Sequence, residues 1–297
     1  RELHSIRRRQ RQMCTRDSLY PMDHHDNEKF WVSPDMQAES ALAMVNIGFT
    51  AIKFDPAGPY TMRGGHMPAM TDIDLSVKMC AAIRDAVGTK ADLLFGTHGQ
   101  FSTAGAIRLG RALEPYDPLW YEEPVPPDNV SSMARVADSI RIPIATGERL
   151  TTKNEFSQVL QEGAASILQP ALGRSGGILE TKKIAAIAEV YNAHIAPHLY
   201  AGPVEWAANI QLAVNIPNIL MVETILTGSG FSGDLIKNKI QWDDGYIIAP
   251  TSAGLGIEFD EDIARNNKYI ENRLHLEMQD APCDYKNGNA FSGGASD

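Results

Sequence analysis

Short apolar runs recur along the chain from residue 49 onward, and within each run the apolar residues do not alternate with polar ones. The runs are only a few residues long and rich in Ile, Leu, Val and Phe. Strands that are buried on both faces of a parallel sheet have this pattern. The pattern predicts strands at Phe49–Phe54, Leu93–Gly96, Leu119–Glu122, Ile144–Gly147, Ser166–Pro170, His194–Pro197 and Ile219–Glu223.

Amphipathic stretches lie between these runs and predict helices, because their apolar residues are spaced to share one helix face. Gly88 predicts the end of one helix, while Thr151 or Thr152 can cap another that Gly163 closes. The predicted helices are Pro34–Val45, Asp72–Val87, Ala104–Leu113, Asn129–Ser139, Lys153–Glu162, Gly177–Tyr191 and Val204–Val214.

From Leu93 onward the strand starts recur about every 25 residues, which is the length of one βα unit. An eighth strand, the first in order, is predicted at Asp17–Tyr20. The fold class is therefore predicted to be α/β, as a parallel (β/α)8 TIM barrel, with a doubly wound open sheet as the alternative. The barrel is favoured because no Gly-rich phosphate loop follows an early strand; the lone Gly-rich turn at Gly173–Gly177 does not by itself indicate phosphate.

The regular alternation ends after residue 230, where Ile240–Pro250 predicts a strand, a turn at Asp244–Gly245 and a second strand. We predict three parts: a basic N-terminal segment (1–14), a catalytic barrel domain with a C-terminal extension (15–280) and a tail (281–297). The tail is predicted to be disordered because it is rich in Gly, Asn and Ser.

Composition narrows the class of protein. The 297 residues are 43% hydrophobic, enough for one barrel of about 250 residues. A net charge of −10 argues against a nucleic-acid or anionic-membrane surface, and no apolar run reaches the roughly 18 residues of a membrane span. The three cysteines are scattered without metal-like spacing, and the N-terminus lacks a secretory apolar region, so we expect a cytoplasmic protein.

Polar side chains mark nearly every predicted strand end, and the carboxyl ends of barrel strands form the active site. A single such residue can be solvated or paired locally, but many charged groups that converge on one mouth must pair with each other or bind a cation. Glu122 and Glu148, on neighbouring strands, are a natural pair for a hard ion such as Mg2+. The full set is Lys53, Asp55, His98, Glu122, Glu148, Arg149, Gln169, Arg174, His198 and Glu223.

The motifs IKFD, LFGTHGQ, WYEEPVPPDN, IATGERLTT, SILQPALGRSGG and IAPHLY, followed by the Glu223 strand, occur in this order. Together they resemble the mandelate racemase/muconate lactonizing branch of the enolase superfamily, most of all its galactonate dehydratase-like sugar-acid dehydratases. The resemblance covers roughly residues 15–280, and the EEP and GERL strand ends are its most specific part.

The resemblance implies an α+β capping domain, a Mg2+ ion held by three carboxylates, and acid and base groups around that ion. It assigns Glu122 and Glu148 as metal ligands, His198 as the base and His98 as the acid on the leaving hydroxyl. Glu223 is implied to support the substrate carboxylate or the enolate. Lys53 matches the first lysine of a KxK motif, in which Asp55 replaces the second.

Three departures from the family pattern bear on this assignment. Gly96 occupies the position of the first metal ligand, Ala171 replaces the aspartate that partners the base, and the 297 residues include no match to the cap. We therefore expect the chain alone to be less active than a capped relative. We also predict that His98, two residues after Gly96 on the same strand face, either ligates the ion or holds a water that does, which gives a His98–Glu122–Glu148 set with a preference shifted toward Mn2+ or Zn2+. If His98 ligates the ion, Lys53 is the next candidate acid. The alternative is that His98 only hydrogen-bonds a neighbouring backbone carbonyl and the site is empty.

The predicted function is a metal-dependent dehydratase that acts on an acid sugar, with Mg2+ or Mn2+ as cofactor. The alternatives are a weak or silent homologue that binds a sugar acid, and a racemase or cycloisomerase that uses the same enolate step. Predicted substrate-binding residues are Arg149, Gln169 and Arg174, with Tyr60 in the loop Pro56–Thr71. The predicted partners are the small-molecule acid sugar and further copies of the chain in a homo-oligomer, with no nucleic acid and no membrane.

Overall fold

A computed structural model describes residues 11–14, 30, 32–56, 67–224, 233–243 and 245–267. Eight of its strands are parallel to their neighbours, and two more form a hairpin. In chain order the strands are β1 (Arg11–Cys14), β2 (Ala51–Phe54), β3 (Asp92–Gly96), β4 (Trp120–Glu122), β5 (Ile144–Thr146), β6 (Ile167–Leu168), β7 (His194–Ile195), β8 (Met221–Thr224), β9 (Gln241–Asp243) and β10 (Tyr246–Ile248).

Helices alternate with the strands from β2 to β8, as the sequence pattern predicts. Thr152 caps its helix through a hydrogen bond to the Glu155 amide, while Gly88 and Gly163 have the positive φ angles of helix-ending glycines. The helices are α1 (Pro34–Asn46), α2 (Met70–Val87), α3 (Thr103–Leu113), α4 (Val130–Ser139), α5 (Lys153–Gln161), α6 (Gly177–Val190), α7 (Pro203–Ala213) and α8 (Glu261–Asn266). None of the helices in the described ranges is long and apolar enough to cross a membrane.

The strands follow one another in spatial order, so the chain forms a curved parallel α/β sheet. The order runs β7-β6-β5-β4-β3-β2-β1, and β8 pairs with the far side of β1. A parallel bridge between Ile195 and Ile219 connects β7 to the residues just before β8. The predicted hairpin is present as antiparallel β9 and β10, and β10 also pairs with β1.

Two apolar layers lie on the two faces of the sheet. On the outer face, residues such as Ile52, Phe95 and Tyr121 pack in the main core with the buried sides of the helices. The inner face carries a separate cluster with one buried residue from each of β2 to β6, one directly after β7 and one from β8. We call this the inner cluster; its buried members are Ala51, Leu94, Trp120, Ala145, Ile167, Ala196 and Met221.

The prediction of the first strand differs from the structure. Asp17–Tyr20 lies outside the described residues, and the first described strand, Arg11–Cys14, falls inside the segment that we predicted to be a solvated basic terminus. Its pairing with β2 and β8 places it in the parallel sheet. Tyr60, Asp244 and the predicted tail at 281–297 also lie outside the described residues, and the predicted boundaries after residues 14 and 280 stay predictions.

Candidate functional site

The candidate site lies directly above the inner cluster. Side chains alternate between faces along a strand, so the residue two positions after each inner-cluster member lies on the same face, one layer closer to the carboxyl end. Whereas the inner cluster is apolar, this second layer contains two carboxylates, an ammonium, an amide and an imidazole. We call it the polar layer; its residues are Lys53, Gly96, Glu122, Gly147, Gln169, His198 and Glu223.

Lys53 links Glu122 on β4 to Glu223 on β8, two strands that lie on opposite sides of β1. Its Nζ donates to Glu122 Oε1 at 2.7 Å and to Glu223 Oε1 at 3.4 Å, and all three side chains are buried. Burial by itself would lower the pKa of Lys53, but the negative charges of Glu122 and Glu223 outweigh it and raise that pKa. Lys53 is therefore a buried ammonium ion whose positive charge is stabilised by these two carboxylates.

Both oxygens of Glu122 already accept hydrogen bonds. Lys53 occupies Oε1, and Gln169 Nε2 donates to Oε2 at 2.7 Å. The Gln169 Oε1 atom is buried, and no hydrogen-bond donor within the described ranges reaches it. Since a buried acceptor without a donor is costly, Gln169 presents an oxygen suited to a hydroxyl of a bound molecule.

His198 is held by carboxylates at the end of β7. Its Nδ1 lies 3.0 Å from Glu223 Oε2 and 3.5 Å from Glu148 Oε2. Burial would lower the pKa of His198, but the charges of Glu223 and Glu148 raise it to about 9. Burial likewise would raise the pKa of Glu223, but Lys53 and His198 lower it to about 2. The backbone N–H of Leu199 donates to the same Glu223 oxygen and fixes its position.

His98 lies beside Asp55 rather than among the glutamates. Its Nδ1 is 3.5 Å from Asp55 Oδ2, and both side chains are largely buried. The expectation that His98 shares a strand face with residue 96 assumed an extended backbone. Instead, β3 ends at Gly96, and His98 has a φ of 54°, which turns the chain.

The predicted metal ligands do not form a ligand set in this arrangement. Among the residues that the structure describes, no group of three or more His, Cys, Asp or Glu side chains is placed to hold a metal ion. Glu122 is bonded to Lys53 and Gln169, while His98 lies next to Asp55. The arrangement therefore does not fit a resident divalent ion, and the His98–Glu122–Glu148 set stays a prediction that metal titration can test.

Two of the predicted substrate-binding residues anchor the site. Arg149 Nε and Nη2 both lie 2.7 Å from Glu123 Oε2. Arg174 Nη1 donates to the backbone carbonyl of Glu148 at 3.0 Å, so the loop after β6 supports the end of β5. A role for either arginine in substrate binding stays a prediction.

Glu123 is a buried residue of the site to which the sequence pattern assigned no role. Besides Arg149, Thr146 Oγ1 donates to its Oε1 at 3.2 Å. Burial, together with the nearby charge of Glu148, raises the pKa of Glu123, and Arg149 opposes this rise. The Thr97 hydroxyl donates to the backbone carbonyls of both Glu122 and Glu123, which ties the end of β3 to the end of β4. The EEP motif, with two consecutive glutamates at the end of β4, is the sequence signal that could have identified Glu123.

Comparison with known proteins identifies the family of the chain. Residues 36–263 match the family described as enolase C-terminal domain-like, and the chain belongs to this family. A crystal structure of a mandelate racemase/muconate lactonizing enzyme from Sulfitobacter sp. is 68% identical and superposes with a TM-score of 0.87, covering 94% of this chain and 69% of that one.

Curated relatives are sugar-acid dehydratases by name. D-xylonate dehydratase of Haloferax volcanii is 36% identical over 77% of this chain and 57% of its own length. D-galactonate dehydratase of Variovorax paradoxus is 40% identical over 64% of this chain and 51% of its own length. The chain thus spans only a little over half the length of these relatives.

Proposed function

We propose that the chain is the catalytic part of a sugar-acid dehydratase, a hydro-lyase that removes water from an acid sugar. The observation that carries the proposal is the pair of histidines at the site: His198 lies beside Glu223 and Glu148, close to the buried ammonium of Lys53, and His98 lies beside Asp55. Relatives at 36% and 40% identity that are named D-xylonate and D-galactonate dehydratase support the same reaction class.

The proposed reaction needs one base and one acid. His198 takes the proton from the carbon next to the substrate carboxylate, and the resulting enolate expels the neighbouring hydroxyl as His98 protonates it. Water leaves, and the enol product becomes a 2-keto-3-deoxy sugar acid. Because the pKa of His198 is about 9, its imidazole is mainly protonated at neutral pH in the substrate-free protein and must lose that proton before it acts as a base.

The positive charge of Lys53 in the polar layer can stabilise the negative charge of the enolate intermediate. Lys53 places a fixed positive charge in this layer, and the buried surroundings strengthen its field because little water screens it. The unpartnered Oε1 of Gln169 can accept a hydrogen bond from a substrate hydroxyl. The predicted dependence on Mg2+ or Mn2+ stays a prediction, so the activity has to be measured with and without each ion.

We also infer that the sheet closes into a (β/α)8 barrel, which would surround the polar layer on all sides. Pairing of β8 with β1 and the bridge between Ile195 and Ile219 support closure. The inner cluster supports it too, because seven strands contribute to one apolar group. As an assembly we expect a homo-oligomer, which light scattering of the purified chain would detect.

The test follows proton exchange and elimination separately in D2O with D-xylonate and D-galactonate. We expect wild type to form a 2-keto acid from at least one of them. His198→Asn should lose both deuterium exchange at the carbon next to the carboxylate and 2-keto acid formation, by roughly 10²- to 10⁴-fold. His98→Asn should lose 2-keto acid formation but keep exchange, because it removes only the acid.

Other outcomes identify the alternatives. Exchange with inversion and without 2-keto acid would indicate a racemase, a reaction that also occurs in the name of the Sulfitobacter protein. Absence of both exchange and product with either sugar acid, while the protein binds them, would contradict catalysis and indicate a silent homologue.

A further inference from the structure

The ammonium of Lys53 lies where the carboxylates of the polar layer meet. It contacts Glu122 at 2.7 Å and Glu223 at 3.4 Å, and the side chain of Lys53 is only 1% exposed. A buried ammonium of this kind is stable only while it is paired, so its two carboxylates hold it in place. Lys53 thus already occupies an oxygen of Glu122, the residue that the family pattern assigns to a metal ion.

Gly96 makes room for the lysine. A Cβ atom at residue 96 would lie 3.3 Å from Lys53 Cε, tighter than nine in ten real Cβ contacts, so the lysine stem would have to shift by a few tenths of an ångström. Gly96 therefore leaves the stem of Lys53 undisturbed and offers no side-chain ligand of its own to an ion beside Glu122.

The contacts within the polar layer support this view. Its two carboxylates, Glu122 and Glu223, both accept from the Lys53 ammonium, at 2.7 Å and 3.4 Å. A divalent ion bound by these carboxylates would lie close to a buried positive charge, and like charges repel strongly where little water screens them. Without Lys53 the two carboxylates would lose the cation that they share and would suit such an ion.

We infer that Lys53 is the resident cation of the polar layer, so that this site binds a divalent ion poorly unless the lysine is removed. The inference goes beyond the dehydratase proposal and does not need it, because it concerns equilibrium binding of a metal and not turnover.

The test compares Mn2+ binding by the wild-type chain and by Lys53→Met, measured from the electron paramagnetic resonance signal of free Mn2+. Methionine keeps the unbranched stem and removes the charge. We expect Lys53→Met to bind one Mn2+ per chain at least about tenfold more tightly than wild type. Without metal its melting temperature should lie below that of wild type, and Mn2+ should restore much of the difference, because ligand binding stabilises the folded state.

Two control variants test whether the Mn2+ binding gained in Lys53→Met occurs at this site. Lys78→Met removes an exposed lysine that lies 2.6 Å from Asp74, so it deletes a lysine–carboxylate pair without opening a buried site. We expect it to leave Mn2+ binding and the melting temperature close to those of wild type. Adding Glu122→Gln to Lys53→Met should abolish the gained binding. If the gained binding survives this second substitution, the ion lies elsewhere and the inference fails.

Equal Mn2+ affinity in wild type and Lys53→Met would overturn the inference. If Lys53→Met does not fold either with or without Mn2+, Mn2+ binding by the wild-type chain alone tests the inference. A wild-type chain that keeps one Mn2+ through gel filtration in metal-free buffer contradicts the inference, and one that loses it supports the inference. Since neither measurement uses a sugar acid, the result is independent of whether the chain is a dehydratase.

Discussion

At the scale of single residues, Glu122 and Glu123 show how two consecutive residues, the last of β4 and the one after it, serve different purposes. Glu122 lies on the inner face and binds Lys53 and Gln169 within the polar layer. Glu123 has a φ of 40°, which is unusual for a residue other than glycine, and its carboxylate is bound by Arg149 and Thr146 instead. The network around Glu123 holds this strained backbone, and with it the position of Glu122.

The Glu123–Arg149 pair should therefore matter for stability. Arg149→Met leaves the buried carboxylate of Glu123 without its cation, and we expect a loss of about 2 kcal/mol in the free energy of unfolding. This is less than for a fully buried pair, because the Arg149 side chain is 36% exposed and water can partly replace it. Urea denaturation followed by circular dichroism measures the change.

Arg174→Met is the matched control for this loss. It removes another exposed arginine of the same mouth, but one that binds the neutral carbonyl of Glu148 rather than a buried charge. We expect it to cost less than about 1 kcal/mol. Equal losses in the two variants would mean that the buried charge of Glu123 is not what Arg149 stabilises.

Sequence patterns predicted which residues lie at the strand ends, but not how they pair. Lys53, Glu122, Gln169, His198 and Glu223 were all found from their positions after apolar runs, since a strand fixes the face of each side chain. The alternation of side chains between strand faces does not extend beyond the strand ends. It did not predict that His98 lies beside Asp55, because a single positive φ redirects the His98 side chain.

At the scale of elements, α5 is the clearest example of local sequence that determines a boundary. The Thr152 hydroxyl accepts from the Glu155 amide, and the Glu155 carboxylate accepts from the Thr151 and Thr152 amides. This reciprocal arrangement satisfies N–H groups that the helix itself cannot pair. Because α5 follows directly from β5 and Arg149, its first turn also borders the mouth of the site.

We expect Thr152→Ala and Glu155→Gln each to lower the free energy of unfolding by about 1 kcal/mol at neutral pH. Slight burial would raise the pKa of Glu155, but the hydrogen bonds from Thr151 and Thr152 lower it below 4.5. The carboxylate therefore stabilises the fold fully above about pH 4.5, and this contribution is lost as the pH falls through the lowered pKa. The effect of Glu155→Gln should shrink accordingly in acid urea titrations.

Gln158→Ala, in the same helix, provides the comparison. Its amide donates only to the exposed Glu162, so its effect should stay within about 0.5 kcal/mol at every pH. A Glu155→Gln effect that is independent of pH would show that the charge of Glu155 has no part in capping α5.

Helices were predicted more closely than strands, for a physical reason. Six of the seven predicted helices lie within one residue of the observed bounds at both ends, because caps and glycines mark those ends. The seventh, α2, begins at Met70, two residues before the predicted start, and ends at Val87 as predicted, just before Gly88. Short strands carry no such marks. β6 pairs over only Ile167–Leu168, although the apolar pattern extends over Ser166–Pro170, because pairing depends on neighbouring strands.

At the scale of the whole molecule, the inner cluster and the polar layer are two successive layers of side chains on the inner face of the same sheet. Trp120 fills the inner cluster beside the small residues Ala51, Ala145 and Ala196, and none of the four is exposed to solvent. Two residues further along each strand, the side chains become polar and form the site. A rigid, filled layer below is what holds the charged groups of the layer above at fixed distances.

The proposed closure of the sheet into a barrel leads to the last prediction. In a closed barrel, the inner cluster is packed from all sides, and the extra atoms of Ala196→Leu can be placed only by displacing neighbours. We expect this substitution to cost about 1–3 kcal/mol in the free energy of unfolding. Ala186→Leu, at an exposed position on α6, makes the same change on the surface and should cost less than about 0.5 kcal/mol. Urea denaturation compares the two variants directly. In an open sheet the inner face at Ala196 would have room for a larger side chain, so equal tolerance of the two leucines would contradict a closed barrel.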